Sequence, residues 1–218
     1  MKENRILIIT GGAAAIDFVR EFLIKNKFDI IIAVDSGLVT ASKLGIPLQY
    51  IVGDFDSVPR ELIESYRNDK SVIIKEFNPE KDATDTHIAL NLGLELNGSE
   101  IVILGATGTR IDHMLANIHL LYLPLNKNIK ASIIDEHNKI YMINKSTAIY
   151  KNKLFGPFVS LQPFTEVVKG ITLKGFKYPL NNYTMLKGDS IGTSNEVVEE
   201  QADISLEDGI LIVIEARD

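Results

Sequence analysis

A single change of hydrophobic period, near Asn138, restricts the folds open to this 218-residue chain more than any other feature. Upstream of it, Ile6-Leu7-Ile8-Ile9, residues 29–35, Tyr50-Ile51-Val52-Gly53, Val72-Ile73-Ile74, Ile101-Val102-Ile103-Leu104 and Ala131-Ser132-Ile133-Ile134 are short runs that are apolar on both faces. Helical patterns separate them, among them Ile16, Val19, Phe22 and Leu23, then Ile88, Leu92 and Leu96, then Ile111, Met114, Leu115 and Ile118. Strands apolar on both sides that alternate with helices predict an α/β fold with a mostly parallel sheet covered by helices on both faces. Downstream, Lys139 to Ile143, Thr147 to Tyr150, Phe158 to Leu161, Val167-Val168, Ile171 to Leu173 and Ile210 to Ile214 are short and strand-like. Gly156, Gly170, Gly175, Gly188, Gly192 and Gly209 punctuate that half, and no helical stripe runs through it. It predicts a C-terminal antiparallel β-sandwich or barrel. The expected division is an α/β domain over 1–135 and a β-domain over 136–218.

Composition removes several classes of function. A net charge of −6 opposes a nucleic-acid backbone as the main partner. No apolar run approaches the roughly 20 residues that span a bilayer. Met1-Lys2-Glu3-Asn4-Arg5 leads into the first apolar run without a signal-peptide core or cleavage site. The absence of cysteine removes disulfides and thiol chemistry and fits a reducing compartment. The expectation is a soluble cytoplasmic protein with no nucleic-acid or membrane partner.

In an open α/β sheet, ligands bind beyond the carboxyl ends of the strands, and the polar residues collect there. Gly53-Asp54-Phe55-Asp56-Ser57 follows the third strand directly. Two carboxylates at i and i+2 of an extended segment can point the same way, and paired hard oxygen ligands suit Mg²⁺. The plain alternative is a turn in which Ser57 caps a helix beginning near Pro59, which leaves two crowded like charges unexplained. Lys81-Asp82-Ala83-Thr84-Asp85 precedes the helix of Ile88 and Leu92. Asp82 or Thr84 can cap it, or Asp82 and Asp85, at i and i+3, can share a face and reach one metal–phosphate assembly. Gly105-Ala106-Thr107-Gly108-Thr109-Arg110-Ile111-Asp112-His113 joins a strand to a helix. Its glycines let backbone amides approach a phosphate, and the helix start adds positive potential. Thr109 and Asp112 have capping-box spacing. Arg110 is a cation in a first turn, where it opposes the helix dipole, so it points to a bound anion. The chain has no P-loop, and Gly11-Gly12 lacks the third glycine of a dinucleotide fingerprint.

Taken in order, Val34-Asp35-Ser36-Gly37, the Asp54, Asp82 and Arg110 loops, Gly175-Phe176-Lys177-Tyr178-Pro179-Leu180 and Gly192-Thr193-Ser194-Asn195-Glu196 resemble thiamine pyrophosphokinases over essentially the whole chain. The resemblance implies an α/β catalytic domain, a β-domain that helps bind thiamine, and a homodimer with sites at the subunit interface. It implies Mg²⁺-dependent transfer of pyrophosphate from ATP to the thiamine hydroxyl, with release of AMP. Asp54, Asp56 and Asp85 match the family's Mg²⁺- and phosphate-handling aspartates. Lys81, Asp82 and Thr84 fall in its second motif, near the polyphosphate. Gly105, Arg110 and Asp112 fall in its third, where the arginine holds phosphate charge. Tyr178 stands where the family carries an aromatic, often Trp, against the thiamine ring, and Ser194 and Asn195 match the polar motif beside that ligand. Asp35 belongs to another loop of the same site and is grouped with thiamine binding, its particular role left open. Two departures stand out: Thr109 replaces a glycine of many members, and a chain without Trp must offer Tyr178 as the stacking face. The general base is left open among Asp82, Asp85 and Asp112. Two other functions compete: a phosphatase forming an aspartyl-phosphate on Asp54, and a non-catalytic thiamine or nucleotide sensor.

Overall fold

The computed structural model describes residues 4–77 and 82–218. The chain divides into two compact units, 1–136 and 137–218.

In the first unit, β1 (Asn4–Ile9), α1 (Ile16–Lys25), β2 (Ile30–Val34), α2 (Gly37–Lys43), β3 (Tyr50–Gly53), α3 (Arg60–Arg67), β4 (Ile73–Glu76), α4 (Asp85–Glu95), β5 (Gly98–Leu104), α5 (Ile111–Leu120), α6 (Tyr122–Asn126) and β6 (Lys130–Ile134) follow one another. The six strands lie in the order β6-β5-β1-β2-β3-β4, and every neighbouring pair among them is parallel. Ile6 to Ile9, Ile101, Ile103 and Leu104 are fully buried, as strands covered on both faces require. The strand order reverses at β1, so the loops after β1 and β5 flank the switch point where such sheets open a crevice.

Two helices depart from their sequence patterns. The expected stripe of α4 is Ile88, Leu92 and Leu96, yet Thr86, Ala89, Leu90, Leu92, Gly93 and Leu94 are all buried. This helix is enclosed around most of its circumference. The left-handed turn after it falls to Asn97, while Gly98 opens β5. In α5 the stripe faces the other way: Ile111 is 64% exposed and Leu115 51%, and the buried residue is Asn117.

The second unit contains β7 (Asn138–Ile143), β8 (Thr147–Tyr150), β9 (Phe158–Pro163), β10 (Val167–Lys174), β11 (Leu180–Leu186), β12 (Asn195–Glu196), β13 (Gln201–Ser205) and β14 (Leu211–Ala216). They form two antiparallel sets, β12-β9-β14-β7 and β11-β10-β13-β8. Val159, Leu161, Val168, Ile171, Leu173, Met185, Ile204, Leu211 and Val213 form the core between them. The two runs expected at 167–168 and 171–173 are one strand. Gly170, at φ +70°, lies where its register shifts, as at a β-bulge. Sequence reading missed β11 because it is an edge strand with only Met185 buried, so it carries no apolar alternation.

One charged side chain lies inside this unit. Glu215 is 3% exposed. Its Oε2 accepts from the Phe155 N–H at 2.8 Å, and its Oε1 lies 3.4 Å from Lys139 Nζ. The Tyr141 hydroxyl hydrogen-bonds the same carboxylate, and burial followed by that negative charge pushes the phenol well above its ordinary range. A buried carboxylate is tolerable when its lone pairs are satisfied in this way. Glu215→Ala strands the Phe155 and Tyr141 donors and is expected to lower the unfolding free energy by about 2–4 kcal/mol, with Glu215→Gln losing less. Urea unfolding of the variants measures the difference.

Candidate active site

The carboxyl ends of β2 and β3 and the start of α4 bring three aspartates into one electrostatic group. Asp35 follows β2 in the left-handed region, at φ +46°. Asp54 follows β3, and Phe55 beyond it is also left-handed, at φ +63°. That conformation costs a bulky residue about 1–2 kcal/mol. It turns the Phe55 N–H toward the Asp35 carboxylate, which it hydrogen-bonds. The Phe55 ring is buried, which holds the turn in place. Gly53 belongs to the same construction, since a Cβ there would collide with Asp35 Oδ1.

Asp85 is the first residue of α4, and its carboxyl group hydrogen-bonds that of Asp35. Burial is the largest cause that raises Asp35, followed by the charge and hydrogen bond of Asp85 and then the charge of Asp54; together they bring it to about 7. Asp35 Oδ1 is nevertheless buried without a hydrogen-bond partner among the described residues. Two carboxyl groups that must share a proton, beside a third negative charge and an orphaned oxygen, have the chemistry of a cation site. Among the described residues, no three carboxylate, imidazole or thiol groups stand close enough to form a ready-made metal cage. Any cation there would complete its coordination with water or ligand oxygens, as Mg²⁺ ordinarily does.

The other sequence-derived residues fall into place around this group. Asp56 is exposed at the rim, and its N–H donates to Asp54 Oδ1 at 3.2 Å. Ser57 is exposed and does not cap α3, whose N-cap is Pro59 without a side-chain cap bond. Capping therefore does not account for the Asp54 loop. Thr84 is the N-cap of α4, its hydroxyl accepting from the His87 N–H at 3.3 Å. Asp82 precedes the helix, so it shares no helical face with Asp85. Lys81 lies outside the described residues.

Across the switch point, the loops after β1 and β5 are stitched together. The Gly12 N–H donates to Gly105 O at 2.7 Å, and the Ala13 N–H to Thr107 O at 2.6 Å. A Cβ at Gly12 would strike both carbonyls, so this approach requires glycine. Asn117, buried in α5, donates to Ala106 O at 2.8 Å and fixes the β5 loop from below. Thr10 and Thr86 join their hydroxyls at 3.1 Å, tying the end of β1 to α4. Sequence reading passed over Gly11-Gly12 and this threonine pair, because only the fold brings them to the site.

Arg110 is the N-cap of α5, and no capping box forms. Its guanidinium makes a two-pronged contact with Asp112, Nη2 to Oδ2 at 2.6 Å and Nε to Oδ1 at 3.2 Å. That contact holds the Asp112 carboxyl down at about 2. Both side chains are exposed, so the pair can exchange its partner for a bound anion.

In the second unit, the polar motif meets the aromatic one. Tyr178 is 58% exposed, and Lys177 Nζ lies 5.6 Å from its ring centroid. Lys177 also pairs with Glu196 Oε1 at 2.6 Å. Asn195 is buried and bonds the Tyr178 main chain. Ser194 is exposed and left-handed, at φ +55°, its N–H bonded to Ser160 Oγ at 2.9 Å.

The raised pKa of Asp35 sets a pH dependence. Its folded value, about 7, lies above the ordinary 3.8, so the folded state holds the proton more tightly. The stability this provides is complete below about 4 and is lost as pH rises through 7. Asp35→Asn, which cannot ionise, is expected to melt above the wild type at pH 8 and to match it near pH 4. The gap at pH 8 should narrow when millimolar Mg²⁺ is added to the wild type. Thermal melts at the two pH values check this, and equal gaps at both would remove the charge-crowding account.

Comparison with known proteins agrees with this geometry. Residues 23–133 match the catalytic domain of thiamin pyrophosphokinase, and residues 146–211 match the vitamin B1 binding domain of thiamin pyrophosphokinase. A thiamine pyrophosphokinase of Bacillus subtilis is 38% identical over 188 residues, spanning 86% of this chain and 87% of the relative. The crystal structure of thiamine pyrophosphokinase from Bacillus subtilis superposes with a TM-score of 0.87 at 34% identity, covering 98% of this chain and 99% of that one. That of the Geobacillus thermodenitrificans protein gives 0.84 at 30% identity, covering 98% and 97%. With both domains matched in order and most of the length aligned, the chain belongs to the thiamin pyrophosphokinase family.

Proposed function

We propose that this chain transfers a pyrophosphoryl group from ATP to the hydroxyl of thiamine, giving thiamine pyrophosphate and AMP. Beyond family membership, the observation that carries the reading is the Asp35–Asp85–Asp54 group, three crowded carboxyl groups at the strand ends with Asp35 Oδ1 buried without a hydrogen-bond partner among the described residues. Asp54 and Asp85, with Asp56 at the rim, would hold Mg²⁺, and the structure adds Asp35 to their charge. Held by these carboxylates, such an ion would supply positive charge against the polyphosphate. The thiamine oxygen forms a bond to that phosphorus, the bond from it to the α–β bridging oxygen breaks, and AMP leaves with that oxygen. Arg110 exchanges Asp112 for the phosphate charge that develops, and the amides of the Gly105 loop face the polyphosphate. Lys81 and Thr84 belong to the same ATP-binding loop. The hydroxyl proton passes to a nearby carboxylate. Asp82, Asp85 and Asp112 are the candidates for that acceptor. In this reading residues 1–135 are catalytic, and 136–218 supply the thiamine platform: Tyr178 stacks on the ring, and the Ser194–Asn195 motif adjoins Tyr178.

The protein acts as a cytoplasmic homodimer in this proposal, with its sites at the subunit interface. The support within the chain is the outward stripe of α5, where Ile111 and Leu115 expose apolar surface along one face and Tyr122 of α6 adds to it. Among the described residues, no helix is long and apolar enough to cross a membrane.

Incubation with thiamine, ATP and Mg²⁺ is expected to yield thiamine pyrophosphate and AMP in equal amounts. Asp54→Asn should lower kcat by about 100-fold or more while leaving the melting transition intact. ADP as the nucleotide product, or a near-normal Asp54→Asn rate, would contradict the reading. Leu115→Glu is expected to convert a dimer into a monomer by sedimentation; an unchanged sedimentation coefficient would remove α5 from the interface.

A further inference from the structure

Asn195 is placed beside thiamine by the sequence motif, yet its amide oxygen and one of its two N–H groups already bond the main chain. Oδ1 accepts from the N–H of Tyr178 at 3.0 Å and from that of Glu196 at 2.9 Å. Nδ2 donates to the Tyr178 carbonyl at 2.8 Å. An asparagine oxygen has two lone pairs, and both are used. The residue is 5% exposed, which leaves it little surface to offer a ligand.

These bonds have the form of one more rung in a ladder. Phe176 and Val197 form an antiparallel bridge, and the Lys177 N–H donates to Glu196 O at 2.9 Å. At Tyr178 the main-chain pairing is continued by the Asn195 side chain, which presents a C=O and an N–H as a peptide group would. Tyr178 needs such a tie. Lys177, Tyr178 and Pro179 are all exposed, between the ends of β10 and β11, so packing alone does not fix this segment. The same Oδ1 also holds the Glu196 N–H. Glu196 in turn holds Lys177, whose ammonium lies over the Tyr178 ring. One buried amide thus fixes the main chain that carries the ring and the charged pair that flanks it.

We propose that Asn195 is a positioning residue that acts on thiamine binding through Tyr178, by preorganising its main chain, and does not touch the ligand. The proposal rests on the reading of Tyr178 as the thiamine platform.

A double-mutant cycle on the full chain tests it, comparing wild type, Tyr178→Ala, Asn195→Ala and the double variant for KM of thiamine, KM of ATP and kcat. Tyr178→Ala is expected to raise the thiamine KM about tenfold. Asn195→Ala should raise it about fivefold, with kcat and the ATP KM within about twofold of wild type, and the double variant should be no worse than Tyr178→Ala alone. If Asn195→Ala does not fold, Asn195→Asp, which keeps the oxygen acceptor and loses the donor to Tyr178, takes its place in the cycle. Multiplicative effects in the double variant would mean that Asn195 acts independently of Tyr178, and would overturn the proposal. So would an unchanged thiamine KM in the Asn195 variant, or loss of cooperative unfolding in both Asn195 variants. An unchanged thiamine KM in Tyr178→Ala instead overturns the platform reading itself.

Discussion

Like-charge crowding at Asp35, Asp54 and Asp85 is the interaction around which the first unit is arranged. Bringing carboxylates together at the rim of a parallel sheet is unfavourable unless a proton or a cation intervenes. The fold accepts that cost through specific local features: a left-handed Asp35, a left-handed Phe55 anchored by its buried ring, and a glycine at residue 53 where a side chain would displace the Asp35 carboxylate. Strain of this kind persists only where the surroundings over-determine it, and here a packed sheet and an enclosed α4 do so.

Much of this was legible in the sequence because period is a strong signal. Every strand of the parallel sheet falls within about three residues of its apolar run, since the strands buried at the centre of such a sheet leave little room for polar residues. The signal failed where that condition lapses. The polar edge strand β11 was not seen, and a bulge at Gly170 was read as a break. The stripe of α5 was visible, but a stripe does not say what covers it, and Ile111 and Leu115 face outward.

Local motifs picked out the candidate segments but not the contacts within them. Thr84 caps α4, as one of two options had it, while Ser57 and the Thr109–Asp112 box do not cap at all. Arg110 was correctly singled out as a cation misplaced for the helix dipole, yet its partner in the structure is Asp112, two residues away. Asp35 was grouped with thiamine binding and its particular role left open, because its pairing with Asp85, fifty residues on, is concealed by sequence distance.

The bonds between the Gly12 and Gly105 loops join parts of the chain more than ninety residues apart. During synthesis, β1 to β4 can pair in order as they emerge, and by then both Asp35 and Asp54 are present. The rim on the other side of the switch point does not exist until β5 has inserted beside β1, and Asp85 arrives only with the helix that precedes it. A ribosome-bound fragment ending before β5 therefore carries all three aspartates with no opposing wall, and the insertion of β5 is the step that brings the Gly105 loop beside them.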